Sequence, residues 1–504
     1  MQTEIAVLRF GLGARPGDLA AAASDPRAWL MAQIQGAVEL AGNTPLARSD
    51  QIYAEVQAAR DYAQEMKREA ADAAAATVAA ATVAAAPAGT APATTTPATT
   101  APAAAAPFNP VRDAYLPHYR AQVLARAQSA ALTARPFAER LVHFWTNHFA
   151  VSADKGVISG IAGTLENEAI RPHVCGRFVD LLTAVEQHPA MIAFLDNQNS
   201  VGKDSELAQL AAWRQARRAF NHPGADGAAA PRQFGINENL AREILELHTL
   251  GVNGGYSQKD VTTFAQIITG WSIGGGKGRL AGGTPGRFYF RDNLHEPGAK
   301  TFLGKNYREN GLAQGEAVLS DLARHPATAH FIATKLVRHF ISDDPPPAAV
   351  ERVAQAFLKS GGDLPKVYAA LIDSPEAWDA EARKFKTPED FVFSTLRSLS
   401  ISPSRPEEVV RSFELLGQRQ YTPGSPAGWP DTSKSWDGSD ALMHRVLWAS
   451  RVADRYEQGL EPADVAASSL GAYARTETVT ALRRATSGTQ ALALLLMSPE
   501  FQRR

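Results

Sequence analysis

Apolar side chains recur every three or four positions along most of the chain, which is the period of amphipathic α-helices. Leu240, Ile244 and Leu247 show this pattern and would face a core, and Gly251 follows them as a helix C-cap. The pattern therefore predicts an all-α fold. The predicted helices are 48–70, 111–150 (two helices, divided at Pro136), 207–220, 237–250, 258–270, 313–323, 327–341, 347–359, 365–373, 387–399, 406–416, 439–458 and 476–497.

Strand character is confined to one region of the sequence. RFYFR (287–291) and TFLGK (301–305) carry aromatic and β-branched residues and flank a segment that contains Gly and Pro. We expect these two runs to pair as one small β-hairpin. The predicted fold class is a large multi-helix globular domain with this single hairpin.

An Ala/Thr/Pro-rich stretch interrupts the helical pattern. Residues 73–111 carry no charge, and a proline stands at every fifth position from Pro87 to Pro107. Each proline removes a backbone donor and clashes with the preceding helical turn, so we expect a disordered linker, partly in the polyproline II conformation. The resulting division has N-terminal helices of the main domain in 1–70, the low-complexity insert in 71–110 and the main helical domain in 111–504.

Composition and charge narrow the classes of function. The chain has 504 residues, 45% of them apolar and 20% charged, with a formal net charge of −1 and a pI near 6.9. This balance argues against a nucleic-acid-binding protein, which normally shows a basic patch. No apolar run of membrane-spanning length occurs outside the Ala-rich stretch. The N-terminus lacks the pattern of a signal peptide, so we expect a cytoplasmic protein unless its start is trimmed or it is exported with a partner.

The densest polar stretch is NENLAREILELHTLGVNGGYSQKDV (237–261). Asn237 or Asn239 can cap its helix, and Glu238 and Glu243 lie on either side of Arg242. One interpretation is an exposed face crossed by ion pairs, each contributing roughly 0.2–0.5 kcal/mol. The other places both glutamates in a polar cavity, with Arg242 keeping one of them ionised. A single helix cannot decide between the two.

Further polar motifs lie on separate segments. For each of them a structural explanation competes, such as a satisfied core histidine, a chain turn or a covered helix end. The H-E-x-x-H and P-loop motifs do not occur, so neither a metalloprotease nor a phosphate-binding loop is predicted. The segments are LVHFWTNHF (141–149) with Asn147 and His148, HPAMIAFLDNQNS (188–200) with Asp196 and Asn197, RDNLHEPGAKTFLG (291–304) with His295 and Lys300, and GWPDTSKSWDG (428–438) with Trp429.

Taken together, these segments resemble the bacterial domain-of-unknown-function 1800 family, over nearly the whole chain except the Ala/Thr/Pro-rich insert. The resemblance implies a helical protein, action outside the cytoplasm, and a partner from a neighbouring family that is similar to sulfatases and alkaline phosphatases. It implies no reaction. The family's usual His-Asp pair is His295-Glu296 here, which puts in doubt any role that needs the aspartate. The segments that carry the resemblance are FGLGARPGD (10–18), FWTNHF (144–149), HPAMIAFLDN (188–197), NENLAREILELHTLGVNGGYSQKDV (237–261), TGWS (269–272), HEPGAKTFLG (295–304), KLVRHF (335–340) and GWP (428–430).

Two functional hypotheses follow from these motifs. The first is an enzyme, a hydrolase or lyase acting on a glycan or another polar polymer, with its acid and base in one polar cavity. Its catalytic candidates are Glu238, Glu243, His148, Asp196 and His295, and a divalent cation held by them is a variant. Its substrate-binding candidates are Asn147, Asn197, Asn237, Asn239, Arg242, Lys300 and Trp429. The second hypothesis is a non-catalytic protein that binds a glycan or peptide, or that takes part in assembly.

Overall fold

A computed structural model describes residues 1–84, 109–156, 158–221, 235–381 and 383–504. These ranges are predominantly helical, which confirms the predicted fold class. The helices are α1 (Gln2–Glu4), α2 (Asp18–Ala22), α3 (Pro26–Gln33), α4 (Ser49–Ala84), α5 (Pro110–Leu132), α6 (Pro136–His148), α7 (Ile158–Thr164), α8 (Phe178–Glu186), α9 (Pro189–Phe194), α10 (Glu206–Asn221), α11 (Asn239–Glu243), α12 (Gln258–Ile267), α13 (Leu312–Leu322), α14 (Pro326–Phe340), α15 (Pro347–Ser360), α16 (Leu364–Ile372), α17 (Pro388–Ser398), α18 (Pro406–Leu415), α19 (Ser439–Tyr456), α20 (Pro462–Leu470), α21 (Thr476–Arg484) and α22 (Gly488–Leu496).

Three of these helices continue as π-helical turns, in which the backbone hydrogen bond runs from residue i+5 rather than i+4. The turn Ile5–Phe10 follows α1, Leu165–Ile170 follows α7, and Ile244–His248 follows α11. The period of apolar positions does not distinguish a π-turn from an α-helical one. The change matters at α11 because it alters which side chains share a face.

The predicted pairing of 287–291 with 301–305 is wrong. Strand β1 (Trp271–Ile273) pairs antiparallel with β2 (Phe288–Phe290), and β3 (Lys300–Phe302) pairs with β4 (Lys305–Tyr307). Each predicted strand therefore finds a partner nearer in sequence. Leu303 and Gly304 both have positive φ, of 46° and 74°, which suits the two-residue turn of a tight hairpin.

The boundaries of two predicted segments also differ. Helix α4 continues through the first Ala-rich residues as far as Ala84, while residues 85–108 of the predicted insert lie outside the described residues. The predicted helix 476–497 is two helices, since Ser487 caps the start of α22 through the backbone N–H of Gln490. None of the described helices is both long and apolar enough to cross a bilayer.

Histidine side chains begin two helices, at the sequences QHPAM (187–191) and RHPAT (324–328). The Nδ1 atoms of His188 and His325 each accept a hydrogen bond of 3.1 Å from the backbone N–H two positions later. A proline occupies the first helical position in both cases, where its missing N–H costs nothing. These two histidines are therefore helix caps.

Helix α6 lies in the middle of the core, and every residue from Pro136 to Trp145 is buried. The indole of Trp145 donates to the hydroxyl of Tyr368 (2.7 Å), which donates to the carbonyl of Val174 (2.8 Å). A helix that is buried on all sides must also carry its charged residues inward.

Candidate functional site

Three glutamates and two arginines form a buried ion network beside α6. Glu139 accepts two hydrogen bonds from Arg171, of 2.7 and 2.6 Å, and Arg171 also donates to Glu166 at 2.9 Å. Arg126 pairs with Glu166 and donates to Glu389 at 2.9 Å. Buried charges cost several kcal/mol each unless they are paired, so these contacts are a condition of the fold.

His143 lies between two members of this network. Its Nδ1 is 3.1 Å from Glu389 and its Nε2 is 3.5 Å from Glu139. Burial alone would lower the pKa of His143, but the two carboxylates outweigh it and raise that pKa above its ordinary value. Burial works against ionisation of Glu389 as well, yet Arg126 and His143 hold its pKa well below the usual range.

A second network joins α6 to α14 and α17. Arg140 contacts Asp390 at 3.0 Å, and its Nε donates to Nε2 of His339 at 3.2 Å. The other ring nitrogen of His339 donates to Asp431 at 2.9 Å. Burial lowers the pKa of His339 to about 4 in spite of Asp431, so this imidazole is neutral and held at both nitrogens.

The two networks border a small cavity of about 70 Å³, whose wall includes Arg126, Arg140, His143, His339, Glu389, Asp390 and Asp431. That volume suits one or two water molecules rather than a substrate. Two predicted binding residues also line it. Asn147 accepts from the backbone N–H of Trp429 (2.7 Å) and donates to its carbonyl (3.0 Å), so this side chain holds the tryptophan loop in place.

The fit of the tryptophan loop against α6 can be tested at Gly428. Gly428 has φ of +83°, and a Cβ there would overlap the backbone oxygen of Asn147, whereas Gly459 has nearly the same φ (+81°) and open space around it. We expect Gly428→Ala to lower the free energy of unfolding by about 1–3 kcal/mol more than Gly459→Ala. Urea denaturation of the two variants measures the difference. Equal losses of unfolding free energy would show that the close approach of Gly428 to Asn147 does not contribute to stability.

A different polar cluster, which we call the histidine centre, consists of Glu186, His248 and His148. Nδ1 of His248 is 2.7 Å from a carboxylate oxygen of Glu186, and Nε2 of His148 is 3.2 Å from the carbonyl of His248. All three side chains are at most 1% exposed. Among the residues that the structure describes, the remaining ring nitrogens, Nε2 of His248 and Nδ1 of His148, have no hydrogen-bond partner. Buried polar atoms without partners are rare and mark places where a water, an ion or a reacting group can bind.

Two half-buried ionisable side chains, Glu243 and Lys335, border the histidine centre. Burial raises the pKa of Glu243, and the negative charges of Glu246 and Glu186 add to that effect. Burial lowers the pKa of Lys335 to about 8, and its Nζ lies 5.5 Å from the centre of the Phe331 ring. Burial also holds the pKa of His148 well below its ordinary value, and the nearby charge of Lys335 adds to this.

The π-turn at Ile244–His248 shapes this arrangement. An α-helical spacing would place His248 about 140° around the helix from Glu243. In a π-turn five residues complete roughly one turn, so the two side chains approach each other. The charge of His248 accordingly lowers the pKa of Glu243 in opposition to burial.

The remaining polar residues of the same helix form an exposed ladder. Arg242 donates to Glu238 at 3.0 Å and contacts Glu246 at 3.5 Å. Glu238 also accepts from Thr262 (2.6 Å) and Gln258 (2.8 Å), and these bonds lower its pKa. Glu238 and Arg242 thus lie on a solvated face, apart from the histidine centre.

The asparagine-rich candidates hold the backbone. Asn197 is buried and donates to the carbonyls of Ile268 (3.1 Å) and Trp271 (2.9 Å). Asn237 donates to the carbonyl of Asp196 (3.3 Å) and accepts from the N–H of Asn239 (2.9 Å).

Asp196 itself has a φ of +58°, and its carboxylate pairs with Lys155 at 2.6 Å. Asp196, Asn197 and Asn237 thus form one group near the start of α11, and their contacts hold neighbouring segments of the chain together.

The loop before β3 holds the last two candidates. His295 is buried between the carbonyl of Thr269 (3.0 Å) and Glu309 (3.2 Å). Lys300 donates to the carbonyls of Pro297 (2.6 Å) and Gly298 (2.9 Å). None of the hydrogen bonds or ion pairs of the described residues connects either side chain to the histidine centre.

The geometry supports neither a serine nucleophile nor a metal centre among the described residues. GWSIG (270–274) has the letters of a G-x-S-x-G nucleophile motif, but Ser272 is buried within strand β1 and its hydroxyl accepts from Arg291 (3.2 Å), so the exposed strand-to-helix turn of that motif is missing. Across the described ranges, no three His, Cys, Asp or Glu side chains are placed to hold a metal ion.

A family model described as "Protein of unknown function (DUF1800)" matches residues 5–503. The chain belongs to this family. Comparisons with curated proteins and with solved structures gave no match. Several segments that carry the DUF1800 resemblance meet at the small cavity and at the histidine centre. Segments 144–149 and 335–340 contribute residues to both places. Segments 10–18 and 428–430 border the cavity.

Three members of the DUF1800 histidine centre and its border were absent from the sequence-based candidates. Glu186 ends α8, just before the QHP motif, and had no motif of its own. His248 lies in the 237–261 segment, where an α-helical spacing places it about 140° around the helix from Glu243 and gives no sign that the two meet. Lys335 begins KLVRHF, where it looks like an ordinary surface lysine. The resemblance, whose segments include His248 and Lys335, is the only sequence signal for these two residues.

Proposed function

We propose that this DUF1800 protein is an acid–base enzyme whose general base is Nε2 of His248. The observation that carries the proposal is the unpaired state of this nitrogen, although the ring is buried and Glu186 holds its other nitrogen at 2.7 Å. A carboxylate at Nδ1 fixes the tautomer in which Nε2 bears the lone pair, and it stabilises the imidazolium that forms when Nε2 takes a proton.

Glu243 is the proposed proton donor. Its raised pKa keeps the carboxyl protonated to a higher pH than an ordinary glutamate, while Glu186 serves only to orient His248. Two carboxyl groups in different environments can have different roles, one as the proton donor and the other as the carboxylate that orients the base. His148 stays neutral, and its free Nδ1 can accept a hydrogen bond from the substrate or from a water.

Substrate would approach from the side of Glu243 and Lys335, where these side chains are half-exposed. The ring of Phe331 lies 6.2 Å from that of His148, and both histidine rings are buried, so the packing around them must open before a substrate makes contact. The amine of Lys335 favours a substrate with a polar or anionic group. The reaction class is hydrolysis or elimination, both of which need one proton removed and one delivered.

The proposal predicts that turnover depends on His248 and Glu186. Wild-type protein should cleave at least one class in a panel of nitrophenyl esters, glycosides and phosphoesters. His248→Gln and Glu186→Gln should reduce the rate of that reaction by about 100-fold or more, since positioned acid–base groups contribute roughly 10²–10⁴-fold.

Glu238→Gln is the matched control because it makes the same chemical change on the exposed ladder of the same helix, and it should leave the rate unchanged. ¹⁵N NMR of the histidine rings gives a second readout, with the proton of His248 expected on Nδ1. A proton on Nε2, full turnover in His248→Gln, or no turnover of any panel class by the wild type would each refute the proposal.

A further inference from the structure

A groove of about 670 Å³ lies between helices α17, α18 and α19, and none of the residues proposed for catalysis lines it. Its volume is that of a small-ligand site, in the range of about 300–1,000 Å³. The three helices and the residues that follow them supply its apolar wall, which includes Leu396, Leu399, Val409, Trp448, Val452 and Leu460. The small cavity beside α6 holds only about 70 Å³, so the two spaces suit different contents.

The charged residues of the groove are four arginines and one glutamate. Glu408 pairs with Arg405 (3.0 Å) and Arg455 (2.8 Å), which accounts for the single negative charge. Arg411 and Arg451 are exposed, and no carboxylate of the described residues lies within 4.0 Å of either guanidinium. The groove therefore offers positive charge that no described acidic side chain neutralises.

The end of α17 adds a strained residue to the wall of the groove. Ser400 has a φ of +54°, and the N–H of Ile401 donates to the carbonyl of Leu396 at 2.8 Å, which is the pattern of a helix end that favours glycine. A side chain kept in this conformation has a steric cost, and such residues gather at ligand sites. The serine hydroxyl is one more polar group at the groove.

We propose that this groove binds a single-chain anionic amphiphile, with its hydrocarbon tail against the apolar wall and its carboxylate on Arg411 and Arg451. The guanidinium fork matches a carboxylate in geometry as well as in charge. The volume and the three-sided apolar wall favour such a ligand over a partner protein. The competing occupant is an acidic amphipathic peptide, since Met443 and Leu447 of α19 are exposed in line with Arg451 and Arg455 at helical spacing.

Calorimetry with dodecanoate, below the concentration at which it forms micelles, tests the proposal on the full chain. We expect one site per chain, and the double variant Arg411→Gln/Arg451→Gln should weaken binding about tenfold or more. The matched control is Arg214→Gln/Arg308→Gln, which removes the same charge from exposed positions outside the groove and should leave the affinity unchanged.

Two further titrations make the result decisive. Dodecylammonium should bind at least tenfold more weakly than dodecanoate. Ser400→Gly relieves the strained position and keeps the fold. Because it removes the serine hydroxyl from the groove, it should weaken dodecanoate binding by a few-fold. Equal binding of the two amphiphiles, no effect of the double variant, or binding of an acidic amphipathic peptide without binding of dodecanoate would overturn the inference. These measurements do not involve His248, so their outcome is independent of the proposed enzyme activity.

Discussion

Replacing Arg171 with methionine is expected to lower the free energy of unfolding by about 3–5 kcal/mol, which is the range for removing one partner of a buried ion pair. Arg171 is 3% exposed and supplies two hydrogen bonds to Glu139 and one to Glu166. Without it, Glu139 keeps its burial but loses its main counter-charge. Denaturation with guanidinium chloride measures the change, as a lower midpoint at an unaltered slope.

A bidentate pair on the surface gives the matched control. Arg419 donates to both oxygens of Asp154, at 2.7 and 2.8 Å, but these side chains are 45% and 56% exposed. Asp154→Asn should cost less than about 1 kcal/mol because solvent screens the pair. The double variant Glu139→Leu/Arg171→Met should lose less than Arg171→Met alone, since it leaves no unpaired charge on Glu139. Equal losses in the buried and exposed pairs would contradict this account of the network.

Lowering the pH from 6.5 to 4 is expected to destabilise the fold, with His339 contributing roughly 3 kcal/mol as an upper estimate. The pKa of His339 falls from 6.5 in the unfolded chain to about 4 in the fold. Between these values the unfolded state binds the proton and the folded state does not, so the stability falls as the pH falls. Burial holds the pKa of His148 and His188 down as well, and these residues act in the same direction.

The test compares His339→Gln with His330→Gln, which changes an exposed histidine of the same helix α14. Unfolding free energies measured at several pH values should show a shallower slope between pH 6.5 and 4 for His339→Gln, and the wild-type slope for His330→Gln. The same slope in both variants would show that burial of His339 does not couple its protonation to folding.

Much of the helical fold follows from local patterns that need no knowledge of the rest of the chain. The apolar period places α12, α14 and α15 within a few residues of their bounds, and a polar residue before proline marks the starts at His188 and His325. Strand pairing is less local. RFYFR and TFLGK have the composition of partners, but the glycines around 274–286 let β2 fold back on β1 instead.

The candidate site was harder to predict because its members meet only in three dimensions. Glu186 and His248 are 62 positions apart, and neither belongs to a spacing motif. The π-turn changes which residues share a face, and no sequence rule for helices of ordinary pitch anticipates it. The sequence located His148 and Glu243, but it could not separate them from Asn197 or Lys300, which are equally polar and hold the backbone.

The buried ion network also constrains when this chain can fold during its synthesis. Arg126 cannot pair with Glu389 until the ribosome has added this glutamate, 263 residues later. At about 5–20 residues per second, that interval lasts roughly 10–50 s. Until then the nascent α5 and α6 cannot bury their arginines at low cost, so we expect the N-terminal third to stay loosely packed and to need protection by chaperones until the last quarter of the chain has emerged.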